Sequence, residues 1–288
     1  MGLGRTLLLG AIAGVTILLG LPVGRLRRPA PTLRALLNAA AVGVLLFLVW
    51  DVLSAAWEPI DGALTEVHTD HHGLGRAVFY GLLFNGGIAV GLLSLVVYER
   101  WMGRAAGGER RFGPGAMAAG ELTARQVGLA AWSPAKRLSL LIAVGIGLHN
   151  FAEGLAIGQS AASGEVTLAT LLVIGFGLHN ATEGFGIVAP LAGDTDGIPV
   201  RPGWGFLLTM GLIGGGPTFI GTAVGHSFTS EALSVAFLTL AAGSILYVVI
   251  QLITVAARSR RMDLLAYGIL LGLIAGFATD GIVTASGA

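Results

Sequence analysis

The sequence predicts an all-α, polytopic membrane protein with eight transmembrane helices. Two features of the composition indicate this fold class: only 11% of the 288 residues are charged, and 54% are apolar. Soluble domains carry about 25% charged residues. Eight apolar stretches are also long enough to cross a hydrocarbon core, which requires roughly 20 helical residues. We therefore expect residues 1–288 to form a single transmembrane domain.

The eight predicted spans are rich in Leu, Val, Ile, Ala and Gly. They cover approximately residues 6–23, 33–57, 77–98, 138–158, 166–191, 204–225, 232–255 and 264–283. The first is interpreted as a span rather than a signal peptide, because Arg25, Arg27 and Arg28 follow it where a cleavage site would have small residues. The one long hydrophilic stretch, 99–135, is typical of a flexible loop.

Basic residues are distributed unevenly among the predicted connections. Of the 17 Lys and Arg residues, 15 fall in the loops after spans one, three, five and seven, and only Arg5 and Arg76 lie on the other side. Cytoplasmic loops of membrane proteins are enriched in Lys and Arg. The asymmetry predicts that both termini lie outside and that 99–135 is a cytoplasmic loop.

The composition also excludes several kinds of site. The chain has no cysteine, which rules out disulfide frameworks and thiolate metal sites. A net charge of +1 argues against a nucleic-acid partner. The 46 glycines exceed twice the number expected at about 7% usage, and within spans they permit helices to pack closely.

A ten-residue segment of span four recurs in span five. The two copies are Gly-Ile-Gly-Leu-His149-Asn150-Phe-Ala-Glu153-Gly and Gly-Phe-Gly-Leu-His179-Asn180-Ala-Thr-Glu183-Gly. In each helix, His and Glu at i and i+4 project from one face, with Asn one residue round. Because consecutive spans run in opposite directions, we expect an inverted pseudo-symmetry relating spans four and five, with the motifs meeting near the bilayer midplane.

Four ionisable side chains in the middle of two adjacent spans need a partner. Each costs about 2.5–3.5 kcal/mol at the bilayer centre, and the central part of every span lacks Lys and Arg. A divalent cation meets this need, because carboxylates neutralise its charge while imidazole nitrogens and amide oxygens complete its shell. The sulfur-free set suits Zn²⁺, Fe²⁺, Mn²⁺, Co²⁺ or Ni²⁺ and disfavours Cu⁺. The predicted metal ligands are His149, Asn150, Glu153, His179, Asn180 and Glu183.

The alternative for these residues is a polar network that joins spans four and five through hydrogen bonds, with the carboxylates protonated. A single intramembrane His or Glu often has that structural role. Duplication of the whole motif favours a metal site instead.

In these residues the sequence resembles the ZIP family of divalent-metal transporters, in particular its prokaryotic branch, where spans four and five both carry His-Asn-x-x-Glu-Gly. The resemblance covers the whole chain, including eight spans and a long cytoplasmic loop after span three. It implies movement of metal into the cytoplasm without ATP, through a central site that is binuclear in some members. It also implies an elevator-like movement of spans one, four, five and six against the others.

Carried over residue by residue, the resemblance places His149, Glu153, His179 and Glu183 in a main site, and Asn150, Asn180 and the shared carboxylates in a second. Three features depart from the family pattern. Span six usually has Glu just before Pro, where this chain has Gly216 and Pro217, and span seven often ends in an acidic pair where this chain has Gln251. The cytoplasmic loop, commonly His-rich, contains no His here. One bound ion or two therefore both remain open.

Further polar residues lie in the predicted outer halves of other spans. They are Asp51 in span two, Asn85 in span three and Asp280 in span eight. We expect them to line an outer vestibule that attracts cations. The alternative is a side chain that is hydrogen-bonded to a neighbouring helix.

A cluster of acids and histidines occupies the predicted outside loop between spans two and three. It includes His68, His71 and His72, and we expect it to gather metal ions with low affinity at the entrance. An ordinary solvated turn is the alternative interpretation.

The sequence favours a divalent-metal transporter that works by alternating access in the cell (inner) membrane, and not an enzyme. Zinc is the first choice of cargo, followed by iron, manganese, cobalt and nickel. A membrane-embedded metalloenzyme with a mono- or dinuclear centre is the alternative, but the chain lacks His-Glu-x-x-His and has only six histidines. The expected partners are metal ions and the lipid bilayer, with a homodimer left open and nucleic acid excluded.

Overall fold

The protein is all-helical in the residues that its structure, a computed structural model, describes. These are residues 1–25, 31–105, 132–164, 166–193, 201–227, 230–257 and 260–285. Eight of the helices in these ranges are long and apolar enough to cross a membrane, counting α1 together with the turns that extend it. The prediction of an all-helical fold with eight helices able to span a membrane is confirmed for the described residues.

The helices follow the predicted spans in order. They are α1 (Leu3–Val15), α2 (Pro31–Asp70), α3 (Leu74–Ala105), α4 (Pro134–Ala162), α5 (Val166–Val188), α6 (Trp204–Ser227), α7 (Glu231–Ala257) and α8 (Met262–Ala285). Short 3₁₀ turns extend α1 through Thr16–Leu19 and Leu21–Arg25, and α5 through Ala189–Gly193.

The prediction of a loop directly after span two is wrong for most of its length, because α2 continues as a helix to Asp70. A fall in hydropathy after Trp57 marks the end of an apolar span, but it does not end a helix. Ile60 is only 3% exposed and packs with Tyr80 and Val235 from the starts of α3 and α7, which stabilises the extension. The chain then turns through His71 and Gly73, both at positive φ.

The predicted cytoplasmic loop 99–135 also begins later than expected. Residues 99–105 belong to the end of α3, and the next helix begins at Pro134 with Ser133 as its N-cap. Residues 106–131, which make up most of the predicted loop, lie outside the described residues.

The eight helices pack in two groups of four. The first, called here the motif group, comprises α1, α4, α5 and α6, and its most extensive contact joins α4 to α6. The second, called the frame group, comprises α2, α3, α7 and α8, in which α2 packs on α8 and α7 while α3 packs on α7. The seam between the groups is formed mainly by α4 against α7 and by α5 against α2.

Glycines bring backbones into direct contact within the motif group. A Cβ on Gly221 of α6 would lie 2.0 Å from the carbonyl oxygen of Phe151 in α4. Across the seam the spacing differs, since a Cβ on Gly145 of α4 would meet a side-chain methyl of Val248 in α7 at 2.6 Å. At glycines such as Gly221, helices of one group pack backbone to backbone, whereas Gly145 and Gly186, which face the frame group across the seam, meet side chains.

Changing Gly221 to Ala is expected to destabilise the protein by about 1–3 kcal/mol, because a rigid backbone carbonyl occupies the space of the new methyl group. The matched control is Gly86→Ala in α3, where nothing lies within 4 Å of the added Cβ. Alanine has the higher helix propensity, so this control should be neutral or stabilising by up to about 1 kcal/mol. Thermal unfolding of the purified variants measures both effects, and equal losses in the two would contradict the packing described.

Candidate metal centre

The duplicated motif lies near the middle of α4 and α5, two helices of the motif group that pack against each other. Five of the six predicted ligand side chains are buried: His149, Asn150, Glu153, Asn180 and Glu183 are each at most 4% exposed. The sixth, the His179 side chain, is 12% exposed. Such burial of ionisable groups is costly unless they are paired or bind a metal.

Three of the predicted ligands form one compact cluster. One ligand atom each from His149, Glu153 and His179 lies within 4.8 Å of the other two. Glu153 Oε1 is 2.8 Å from His149 Nε2 and also contacts His179 Nε2. A single carboxylate oxygen therefore lies between two imidazole nitrogens that come from different helices.

The fourth predicted ligand, Glu183, lies beside this cluster. Its Oε1 is 3.8 Å from His149 Nε2, beyond hydrogen-bond range. The i and i+4 spacing in each helix and the proximity of α4 to α5 together explain why the four groups meet. The structure thus brings three of the four predicted main ligands together and places the fourth, Glu183, next to His149.

The two motif asparagines have a role that the sequence did not reveal. Asn150 Nδ2 donates to the carbonyl oxygen of Gly214 in α6 at 3.0 Å, and Asn180 Nδ2 donates to that of Ala13 in α1 at 3.1 Å. Each amide nitrogen ties its motif helix to a neighbour in the motif group. The oxygen of each side chain remains available, which agrees with the predicted role of the Asn oxygens.

Buried polar atoms without a hydrogen-bond partner are concentrated at the motif. Ten such side-chain atoms occur among the described residues, and seven of them belong to five motif residues: His149 Nδ1 and Nε2, Asn150 Oδ1, Glu153 Oε2, Asn180 Oδ1, and both carboxylate oxygens of Glu183. Of these atoms, His149 Nε2 does have the close ion-pair contact with Glu153 Oε1 described above, although the two atoms are not aligned as a hydrogen bond. Each unsatisfied buried group costs about 1–3 kcal/mol. A divalent cation bound at the motif would give carboxylate and amide oxygens of this kind a partner, so these atoms favour a metal site over a hydrogen-bond network.

The donor atoms are imidazole nitrogens together with carboxylate and amide oxygens. A mixed set of this kind fits zinc and the other divalent first-row metals. The two carboxylates can balance the two positive charges of such an ion. The arrangement is therefore suited to binding a divalent cation inside the helix bundle.

Asp51, the predicted vestibule residue in α2, lies near the cluster. Its side chain is partly buried, and it is close enough to Asp280 in α8 and to His179 and Glu153 for their charges to interact. Asn85 is instead on an exposed face of α3, where its amide donates to the carbonyl oxygen of Gly81 at 2.8 Å. The vestibule role of these residues stays a prediction.

The three histidines of the predicted entrance are exposed. His68 lies in the last turns of α2, and His71 and His72 lie in the turn that follows it. Their accessibility is compatible with gathering metal ions and also with a plain solvated turn, so this role stays a prediction too.

Two contacts of α7, one with Glu99 of α3 and one with Gly145 of α4, could not be inferred from the sequence, because they join residues that are far apart along the chain. Tyr247 donates to the carboxylate of Glu99 at the end of α3, and Gln251 Nε2 donates to the Tyr247 hydroxyl at 2.7 Å. Glu99 of α3 therefore lies beside Gln251, the position in span seven where the resemblance leads one to expect an acid. Across the seam, Ser244 Oγ donates to the carbonyl oxygen of Gly145 in α4 at 3.1 Å.

Comparison with known proteins adds no relative to this description, since no family model matches the chain and no curated protein matches it. The resemblance to metal transporters therefore depends on the motif residues and on the arrangement of the spans. The geometry of the buried cluster is independent of that resemblance.

Proposed function

We propose that this protein transports divalent metal ions across a membrane, in the manner of the ZIP family that its motif resembles. The observation that carries the proposal is the buried His149, Glu153 and His179 cluster, surrounded by motif atoms that lack hydrogen-bond partners. Zinc is the preferred cargo, and iron, manganese, cobalt and nickel are the further candidates. The direction proposed is into the cytoplasm.

The chemistry of the site accounts for binding and release. A hydrated cation exchanges water for imidazole and carboxylate ligands, and the two glutamates balance its charge. These ligands must be deprotonated to bind. Protonation of the site on the cytoplasmic side would therefore favour release of the ion.

The packing of the helices supports alternating access. The six motif residues lie on α4 and α5, within the motif group, and α1 and α6 are tied to these helices through Asn180 and Asn150. The motif group could therefore move as a unit against the frame group along the side-chain-lined seam. The Ser244 hydroxyl, which contacts Gly145 of α4 across the seam, also lies 2.7 Å from the Ala241 carbonyl oxygen of its own helix. It would therefore keep a hydrogen-bond acceptor if α4 moved away, so this contact does not oppose the movement.

The orientation follows from the distribution of the basic residues. We propose that both termini lie outside the cell membrane and that the repeat in α4 and α5 is related by inverted pseudo-symmetry. The matching roles of Asn150 and Asn180 support that relation, since each donates to a backbone carbonyl of the next helix in the group.

Metal uptake into proteoliposomes tests the proposed function. Liposomes that contain the purified protein should accumulate Zn²⁺, and a variant with Ala at His149, Glu153, His179 and Glu183 should not exceed empty liposomes. Persisting uptake by this variant would exclude the site as the route. Absence of uptake by the wild type, with metal still bound, would favour the membrane metalloenzyme instead.

A further inference from the structure

One buried hydroxyl in the motif group has no hydrogen-bond partner. Six Ser and Thr residues are buried among the described residues: Thr6, Ser139, Thr218, Thr222, Thr239 and Ser244. Five of these hydroxyls donate to backbone carbonyls. Thr218 in α6 is fully buried, and its Oγ1 makes no hydrogen bond.

The motif itself explains why Thr218 differs. In a membrane helix, a Thr hydroxyl usually donates to the carbonyl four residues earlier, which for Thr218 is that of Gly214. That oxygen accepts the side-chain amide of Asn150 at 3.0 Å. A carbonyl oxygen has two lone pairs, and the helical N–H of Thr218 normally takes the other. Asn150 thus occupies the acceptor that the Thr218 hydroxyl would otherwise use.

Thr218 lies where α6 meets both α4 and α1. Its carbonyl oxygen would be 2.1 Å from a Cβ on Gly154, the residue after Glu153. On the other side, its Cβ would be 3.3 Å from a Cβ on Gly14, the residue after Ala13. Since the Ala13 carbonyl accepts the Asn180 amide, Thr218 is flanked by the anchors of both motifs.

We propose that the Thr218 hydroxyl is an oxygen ligand for the transported cation, contributed by α6. This inference rests on the proposed function and adds a residue that lies outside the duplicated motif. The hydroxyl joins the other buried oxygens that lack partners, which belong to Asn150, Asn180 and the glutamates. As a neutral donor it adds to the coordination shell without adding charge to a site where two carboxylates already balance a divalent ion.

The test compares Thr218→Val with Thr222→Val. Thr222 lies one turn further along α6 and is equally buried, but its hydroxyl donates to the Thr218 carbonyl at 2.8 Å. The Kd for Zn²⁺ should rise roughly tenfold for Thr218→Val, since removing a polar group that interacts with an ion has an effect of this order. Thr222→Val and the hydroxyl-retaining Thr218→Ser should bind Zn²⁺ like the wild type.

Two further readouts separate a ligand from a purely structural hydroxyl. Co²⁺ bound to the purified full chain should show a changed visible absorption spectrum in Thr218→Val but not in Thr222→Val. The metal-free melting temperature of Thr218→Val should be no lower than that of the wild type, because valine removes an unpartnered group with little change of shape. If Val is poorly tolerated at this position, Thr218→Ala serves the same comparison.

Unchanged Zn²⁺ affinity and an unchanged Co²⁺ spectrum in Thr218→Val would overturn the inference. Equal weakening in Thr218→Val and Thr222→Val would also overturn it, because the effect would then come from packing. Either outcome rejects only the role of Thr218, provided that the wild type binds Zn²⁺ and Glu153→Gln does not. If the wild type binds no divalent metal, the proposed function fails as well.

Discussion

Replacing Glu153 with Gln is expected to reduce Zn²⁺ uptake to the background level and to weaken Zn²⁺ binding on the order of 100-fold or more, since loss of an outer-shell partner of a metal ligand already costs about 10–100-fold. Glu153 Oε1 contacts both imidazoles, so this one carboxylate joins the ligands of α4 to those of α5. Glutamine keeps the shape of the side chain but removes its negative charge. Uptake assays and equilibrium Zn²⁺ titration of the purified variant measure the two losses.

The control for this substitution is Asp263→Asn, which removes the charge of an exposed acid at the start of α8. The Asp263 side chain is about half exposed and pairs with Arg261 rather than with the motif. It should leave uptake and Zn²⁺ affinity close to wild type, since exposed ion pairs contribute about 0–1 kcal/mol. Retention of uptake by Glu153→Gln would show that this carboxylate is not a ligand on the transport route.

Replacing Asn150 with Leu is expected both to destabilise the protein and to weaken Zn²⁺ binding. The substitution removes the hydrogen bond to Gly214 in α6 and the unpartnered amide oxygen beside the cluster. We expect a stability loss of about 1 kcal/mol, the net value of one hydrogen bond, and a roughly tenfold increase in the Kd for Zn²⁺. Thermal unfolding and Zn²⁺ titration measure the two effects separately.

Asn38 in α2 provides the matched control. It is also buried, its Nδ2 donates to the carbonyl oxygen of Leu252 at 3.1 Å, and its Oδ1 has no partner. Because Asn38 joins two helices of the frame group, Asn38→Leu should lower stability by a similar amount and leave Zn²⁺ affinity unchanged. A loss of affinity in both variants would show that the effect of Asn150 is only structural.

The main features of the fold follow from the sequence, because they depend on local properties. Hydropathy locates the eight helices, and the i and i+4 spacing of His149 and Glu153 predicts that both face the same way. The error at α2 has the same origin. Hydropathy reports contact with lipid, whereas residues 58–70 stay helical because Ile60 packs on Tyr80 and Val235.

The details of the site depend on which helices pack together, and the sequence does not specify these contacts. The use of Asn150 and Asn180 as anchors requires the carbonyls of α6 and α1 to lie opposite them. The missing partner of Thr218 follows only once Asn150 is known to occupy the Gly214 carbonyl. Likewise, the offset of Glu183 from the compact cluster reflects the way in which α4 and α5 cross, which their spacing alone does not determine.

The position of the bound metal tests the central claim most directly. Crystals of the wild-type protein grown with Zn²⁺ and measured at the zinc absorption edge should show an anomalous scattering peak between α4 and α5, in contact with His149, Glu153 and His179. The peak should be absent from crystals of Glu153→Gln. A wild-type protein that binds Zn²⁺ but shows no peak between these two helices would contradict the account.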